Sequence, residues 1–159
     1  MSKHKNSYIK YKRAELEEYI RHPESCVKKI RTTEALKFAP NIIANFTESI
    51  MRILSKKIGK HDVKLNGVVL DFRKTKVLDA SSIVRNDSTS MLINIESDFY
   101  VFSPREGAVV NGIVKYINQQ SMETIISVVI YRVFNVKVAF KGCIKQKDIH
   151  QDQEIQIRI

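Results

Sequence analysis

The sequence is poor in the residues that build common metal and cofactor sites. Its two cysteines, Cys26 and Cys143, are too few and too far apart for a disulfide framework or a zinc site. The five glycines are isolated, which excludes a glycine-rich phosphate loop. The four histidines are scattered, and none is paired with a cysteine at metal-ligand spacing. The sequence therefore predicts no metal and no cofactor, and it favours an intracellular, reducing compartment.

Long apolar runs are missing as well. The longest, residues 125–131, is interrupted by Ser127 and is far shorter than the roughly 18–20 residues that a membrane helix needs. The basic N-terminus is not followed by an apolar stretch, so no secretory signal is predicted. Neither a membrane protein nor a secreted one is expected.

A clustered catalytic site is also missing. Glu96 and Asp98 lie one strand step apart and could share a face, but on the polar side of a strand they are expected to be solvated. Cys143 has no activating neighbour in the sequence. The sequence predicts that the protein is not an enzyme.

The chain does carry a large excess of positive charge. It has a formal net charge of +10 and a pI near 9.6, which favours contact with nucleic acid or another polyanion. The alternative is a basic protein that sits within a larger anionic assembly. Hydrophobic residues make up 43% of the sequence, enough for a core.

Residues 91–102 form the most regular stretch. Apolar side chains there fall on one face of a strand and polar side chains on the other: Ile93, Ile95, Phe99 and Val101 against Asn94, Glu96 and Asp98. Pro104 ends the run, and a second strand with Gly112 in its middle follows. We interpret Pro104 as the boundary between two small modules.

The first module is predicted to hold one long amphipathic helix and a small antiparallel sheet. Apolar residues at three- and four-residue steps predict a helix over residues 42–58, ended by Gly59. Strands are predicted at residues 26–31, 34–39 and 63–78, and a polar loop at 79–90. Residues 1–25 are predicted to be a basic arm leading into a short helix at 14–21. The arm could contact phosphates, direct nuclear import, or be a solvated tail.

The second module is predicted to be an OB-like barrel. Strands are expected at residues 108–117, 122–134, 136–140 and 152–159. This falls short of a five-stranded barrel, so the barrel is expected to be incomplete or to have its open edge covered by a partner. The predicted fold class is α+β, with the first module at residues 26–103 and the second at 104–159.

A nucleic-acid surface is predicted on this barrel. OB barrels stack bases on aromatic side chains beside basic residues, and the candidate strands carry such a set: Lys115, Tyr116, Tyr131, Arg132, Phe134 and Lys137. The alternative is that the aromatic residues are part of a core or face a partner.

Several segments resemble one protein family in order and spacing. They are residues 36–40, 65–69, 93–104, 107–114 and 133–136, and they span most of the chain from residue 26 onwards. The chain resembles the larger stalk subunits of archaeal and eukaryotic RNA polymerases, and it is most similar to the RNA polymerase I version. Family members usually complete the barrel and carry a longer polar tail. This departure from the family pattern weakens the expectation of RNA binding more than the expectation of docking.

The resemblance implies a non-catalytic subunit with two domains. A tip domain would dock on the polymerase core, and an OB domain would project near the emerging RNA. Docking is expected around Phe38, Ala39 and Pro40 and around Asn66 and Gly67. The implied partners are the core subunits, a smaller stalk subunit, the polymerase I initiation factor and nascent RNA, in the nucleolus of the nucleus. The rival hypothesis is a free-standing OB-fold protein that binds single-stranded RNA.

Overall fold

The computed structural model describes residues 11–39, 45–85, 88–120, 122–141 and 149–159. Within these ranges it contains two α-helices, one 3₁₀ turn and eight β-strands. The helices are α1 (Arg13–Arg21) and α2 (Phe46–Ser55), and the 3₁₀ turn is Pro23–Ser25. The strands are β1 (Val27–Phe38), β2 (His61–Asp62), β3 (Gly67–Arg85), β4 (Ser88–Phe102), β5 (Val109–Gln119), β6 (Glu123–Ile130), β7 (Phe134–Lys141) and β8 (Glu154–Arg158).

The first sheet is antiparallel, in the order β1-β4-β3-β2. Its central strand β4 pairs with β1 in unbroken register, from Val27 opposite Phe102 to Phe38 opposite Met91. Helix α2 covers one face through Ile50 and Leu54, which are buried in one core cluster with the apolar residues of the sheet. The apolar side of the helix, which the sequence pattern predicted, therefore faces the sheet.

Strand β4 confirms the predicted alternation on the α2 side. Ile93, Ile95, Phe99 and Val101 are all buried beneath the helix. The opposite face is not simply solvated, because Asp98 is 1% exposed and Phe102 is fully buried. The expectation that Asp98 is solvated is wrong: its carboxyl is buried and contacts the side chains of Arg31 and Lys29.

The second sheet is a curled half-barrel in the order β7-β6-β5-β8. Its inner face buries Val114, Ile126 and Val128. Gly112 allows close packing there, because a Cβ atom at this position would lie 2.4 Å from Cγ1 of Val128. The pairing of β5 with β6 has a register shift between Val114 and Tyr116.

A third apolar cluster joins the two sheets and α1. It combines Leu16 of α1, Phe102 of β4, and Val110 and Ile130 of the second sheet. The two sheets therefore share the core formed by this third cluster. The division into domains at residues 26–103 and 104–159 remains a prediction.

Several predicted elements differ from the structure, and the strand expected at 122–134 ends at Ile130, before a turn. The strands expected at 26–31 and 34–39 are one strand, β1, and the polar loop expected at 79–90 is largely strand, as the ends of β3 and β4. These polar residues pair across a long hairpin, and tertiary pairing outweighs their low strand propensity. Helix α2 is shorter than the predicted 42–58, and residues 40–44 lie outside the described ranges, as do the basic arm before Tyr11 and Cys143.

The predicted α+β class is confirmed. Within the described ranges, two helices accompany two antiparallel sheets, and the second sheet has the curled form of an OB-like half-barrel. None of the described helices is long and apolar enough to cross a membrane.

Candidate functional site

Two of the predicted RNA-binding residues form the turn between β6 and β7. Tyr131 and Arg132 have positive φ angles of 49° and 62°. Residues other than glycine rarely adopt this left-handed backbone conformation, which costs about 1–2 kcal/mol per residue. Such strain persists where surrounding contacts hold the backbone in place.

Contacts with the N-terminal segment hold this turn. The Tyr131 hydroxyl donates to the Ser25 carbonyl oxygen at 2.7 Å, and the Tyr11 hydroxyl donates to the Tyr131 carbonyl oxygen. The Arg132 guanidinium donates to Glu15 Oε1 at 2.7 Å and lies 5.1 Å from the centre of the Tyr11 ring. We call this set of contacts the turn clamp.

The rings of Tyr131 and Phe134 face the shared core. The Tyr131 ring lies 4.7 Å from the Tyr19 ring and 5.1 Å from the Phe102 ring, and Phe134 lies 5.2 Å from Phe102. Burial raises the pKa of Tyr131 to about 12, against the opposing effect of the Ser25 side chain. Both residues are half-buried against this core, so they offer bases less exposed ring surface than a fully exposed aromatic residue would.

The other three predicted RNA-binding residues lie on the outer face of the second sheet. Tyr116 is 61% exposed and lies opposite Ser127, which in turn lies opposite exposed Lys137. Lys115 falls at the register shift beside Tyr116, and its Nζ atom contacts Asp152 Oδ1 at 2.9 Å. Tyr116, Ser127 and Lys137 form one cross-strand row, which we call the outer row.

The predicted docking residues lie at opposite ends of the first sheet. Phe38 is 3% exposed and packs on Phe46, and Ala39 next to it is exposed. Asn66 and Gly67 lie at the other end, about 36 Å away along the strands. Pro40 lies outside the described residues. The structure therefore presents two separate patches rather than one surface.

Gly67 has a structural role at its end of the sheet. A Cβ atom there would lie 2.5 Å from the Phe102 carbonyl oxygen and 2.6 Å from Ser103 Oγ. Asn66 precedes it with a φ angle of 50° and is exposed. In this pair, Asn66 exposes its side chain, whereas Gly67 permits the close approach of two strands.

Glu96 and Asp98 take part in cross-strand pairing rather than in a catalytic pair. Asp98 accepts two hydrogen bonds from Arg31, at 2.7 Å and 3.2 Å, and Lys29 lies 3.4 Å away. The hydrogen bond from Arg31 and the nearby Lys29 lower the pKa of this buried carboxyl, against the effect of burial. Glu96 lies opposite Thr33 and Lys76.

Sequence reasoning missed the anchors of the turn clamp, namely Tyr11, Glu15 and Ser25. One signal was present, because Glu15 and Tyr19 are four residues apart on one face of α1 and share a 3.0 Å hydrogen bond. The contact between Ser25 and Tyr131 spans 106 residues and left no local signal. Within the described ranges, no group of three His, Cys, Asp or Glu residues is placed to bind a metal.

Comparisons with known proteins point to transcription. No protein-family model matches the chain. A stretch of 99 residues is 22% identical to a protein of Dictyostelium discoideum described as probable DNA-directed RNA polymerase I subunit RPA43. The match covers 62% of this chain and 28% of that protein, so the chain matches a small part of a much longer relative. This similarity agrees with the resemblance to polymerase stalk subunits and gives weak support to a non-catalytic role.

Proposed function

We propose that the protein is a non-catalytic stalk subunit of DNA-directed RNA polymerase I. The observation that carries this proposal is the 99-residue similarity to a probable polymerase I subunit. The arrangement of a helix-covered sheet followed by a curled half-barrel is the one expected for a tip domain followed by an OB domain. In this proposal the protein works in the nucleus, at the ribosomal RNA genes of the nucleolus.

The first sheet is the part proposed to dock on the polymerase core. Exposed Ala39 and Asn66 mark its two ends and give two points of attachment about 36 Å apart. Two widely spaced contacts would fix the orientation of the sheet better than one central contact. Because the shared core and the turn clamp join the half-barrel to this sheet, docking would also set the direction of the outer row.

The outer row is the part proposed to meet nascent RNA. Exposed Tyr116 offers a ring for base stacking and Lys137 offers a charge for phosphates, while Lys115 beside the row would offer a second charge in exchange for its contact with Asp152. With one aromatic residue and two cations, contact would be weak and would fall with rising salt. Tyr131, Arg132 and Phe134 would contribute by holding the sheet in place.

The remaining partners follow from the same assignment. A smaller stalk subunit would pair with this chain, and the assembled stalk would help to recruit the polymerase I initiation factor. The net charge of +10 fits a subunit placed among anionic partners and nucleic acid.

Depletion of the protein in cells tests this proposal. Newly made RNA is labelled before and after depletion, and ribosomal RNA precursor is compared with messenger and transfer RNA. We expect the synthesis of ribosomal precursor to fall first and most. Unchanged ribosomal RNA synthesis after complete depletion would contradict the proposal.

The second candidate is a free-standing protein that binds single-stranded RNA. The outer row is the observation that favours it, because it pairs an exposed aromatic residue with a lysine across one sheet. The two candidates differ in autonomy. A free-standing protein should bind RNA tightly on its own, whereas a stalk subunit should need its partners.

A further inference from the structure

A large cleft separates the N-terminal segment from the second sheet. One wall is formed by α1 and the 3₁₀ turn, and the floor is formed by the outer face around β5. The cleft has a volume of about 1130 Å³. Small-molecule pockets span roughly 300–1,000 Å³, so this cleft can hold a segment of polypeptide.

The floor and one wall of the cleft offer apolar contacts. Val109 and Val129 are half-buried there, and Ile113 is 40% exposed. Tyr19 and Pro23 line the opposite wall. An extended segment could lay alternate side chains on this floor, because successive side chains of a strand point to opposite sides.

The cleft is acidic, although the protein as a whole is basic. Glu18, Glu24 and Glu154 line it, are exposed, and form no ion pair with any other described residue. Lys115 and Arg132 also line the cleft, and each has an acidic partner: Lys115 contacts Asp152 and Arg132 contacts Glu15. In a chain of net charge +10, the uncompensated charge at this surface is therefore negative.

We propose that this cleft binds an extended segment of a partner protein that alternates lysine or arginine with apolar residues. The cations would meet Glu18, Glu24 and Glu154, and the apolar residues would contact the floor around Ile113. Charge complementarity selects this occupant, because the same carboxylates repel RNA and acidic peptides. The inference does not depend on the proposed polymerase function.

Fluorescence anisotropy with the whole protein tests this proposal. The probe is a labelled eight-residue peptide of alternating lysine and valine, and the comparison probe alternates glutamate and valine. We expect saturable binding of the lysine peptide that weakens as salt is raised, because charges at the rim set the salt dependence. The triple variant Glu18→Gln, Glu24→Gln, Glu154→Gln should weaken binding about tenfold.

A second triple variant controls for overall charge. Glu48→Gln, Glu106→Gln, Glu123→Gln removes the same number of exposed carboxylates elsewhere and should leave binding nearly unchanged. The apolar floor is tested by Ile113→Ser, which should weaken binding, against Met122→Ser at a position 85% exposed and away from the cleft. All these substitutions are at exposed positions, so the variants should remain folded.

Four results would overturn the proposal. They are no saturable binding of the lysine peptide, equal weakening by the two triple variants, tighter binding of the glutamate peptide, and sedimentation showing a dimer that the cleft variants abolish. The last would make a second copy of the chain the occupant. None of these results bears on ribosomal RNA synthesis, so the failure of this proposal and that of the polymerase proposal are distinguishable.

Discussion

The Tyr131 hydroxyl donates a hydrogen bond to the Ser25 carbonyl oxygen at 2.7 Å, although 106 residues separate the two in the chain. This bond ties the turn between β6 and β7 to the segment that leads into β1. It is supported by the ion pair between Glu15 and Arg132. The two sheets are thereby held in one orientation by polar contacts as well as by a shared core.

Removal of the Tyr131 hydroxyl should lower stability. We expect Tyr131→Phe to lower the free energy of unfolding by about 0.5–1.5 kcal/mol, the usual net value of one hydrogen bond. The measurement is urea denaturation. Tyr116→Phe is the matched control, because that ring is 61% exposed and should give no change. Equal effects of the two substitutions would contradict the role given to the clamp.

The same hydroxyl should make stability fall at alkaline pH. Its pKa is raised to about 12, above the value of about 10 for an unfolded tyrosine, because the side chain is buried. The raised pKa means that the folded state favours the protonated hydroxyl. The contribution of this hydroxyl to the free energy of unfolding is therefore complete below pH 10 and is lost as pH rises towards 12. Urea denaturation across this range should show a steeper loss in the natural protein than in Tyr131→Phe. Parallel loss of stability in the two proteins would argue against this role of the Tyr131 hydroxyl.

The contacts of Asp98 should protect the fold against acid. Arg31 and Lys29 lower the pKa of Asp98 in the folded state. The contribution of this carboxylate to stability is therefore complete above its unfolded-state pKa of about 3.9 and is lost as pH falls through its lower folded-state pKa. Asp98→Asn should destabilise the protein by roughly 1–3 kcal/mol at neutral pH, and by less in acid. Acid titration followed by circular dichroism measures this. A constant difference between the two proteins at every pH would contradict it.

Gly67→Ala should disturb the fold more than Gly107→Ala. A Cβ atom at Gly67 would lie 2.5 Å from a backbone oxygen, which cannot move without shifting β4, and we expect a loss of about 1–3 kcal/mol. At Gly107 nothing lies within 4 Å, and the cost is the positive φ angle of 81°, about 1 kcal/mol. Thermal unfolding measures both variants. A Gly67 variant as stable as the natural protein would show that the strands can separate at this point.

RNA contact, if made by the outer row, should depend on Tyr116 and Lys137. We expect Tyr116→Ser with Lys137→Glu to weaken the binding of a uridine oligonucleotide and to flatten its salt dependence, because one stacking ring and one phosphate contact are lost. The control is Met122→Ser, another exposed position of the second sheet region. Filter binding over a salt series measures both. Unchanged affinity in the double variant would remove the outer row as an RNA surface.

Local patterns predicted much of this fold. Alternation in β4 assigned Ile93 and Phe99 to the buried face, and the apolar stripe of α2 predicted a helix on a sheet. The pattern could not show that the opposite face of β4 is also covered near Phe102, because the covering residues come from α1 and the second sheet. Nor could it show that polar residues 79–90 pair as strands, since that pairing is set by the β3–β4 hairpin.

The candidate site was less predictable than the fold. Residue type and spacing grouped Tyr116 with Tyr131, yet the Tyr116 ring is exposed on the outer face and the Tyr131 ring is half-buried against the core. Their difference depends on where α1 packs, and Tyr131 follows the end of α1 by 110 residues in sequence. The acidic cleft had no sequence signal either, because Glu18, Glu24 and Glu154 come together only in the folded chain.

Affinity purification of the tagged protein from nuclear extract, with bound proteins identified by mass spectrometry, tests the central claim most directly. The account predicts that the large subunits of RNA polymerase I are recovered, and that they are enriched over those of the other nuclear RNA polymerases. Recovery of RNA and assorted RNA-binding proteins without polymerase subunits would contradict it. The free-standing RNA-binding protein would then be the better description.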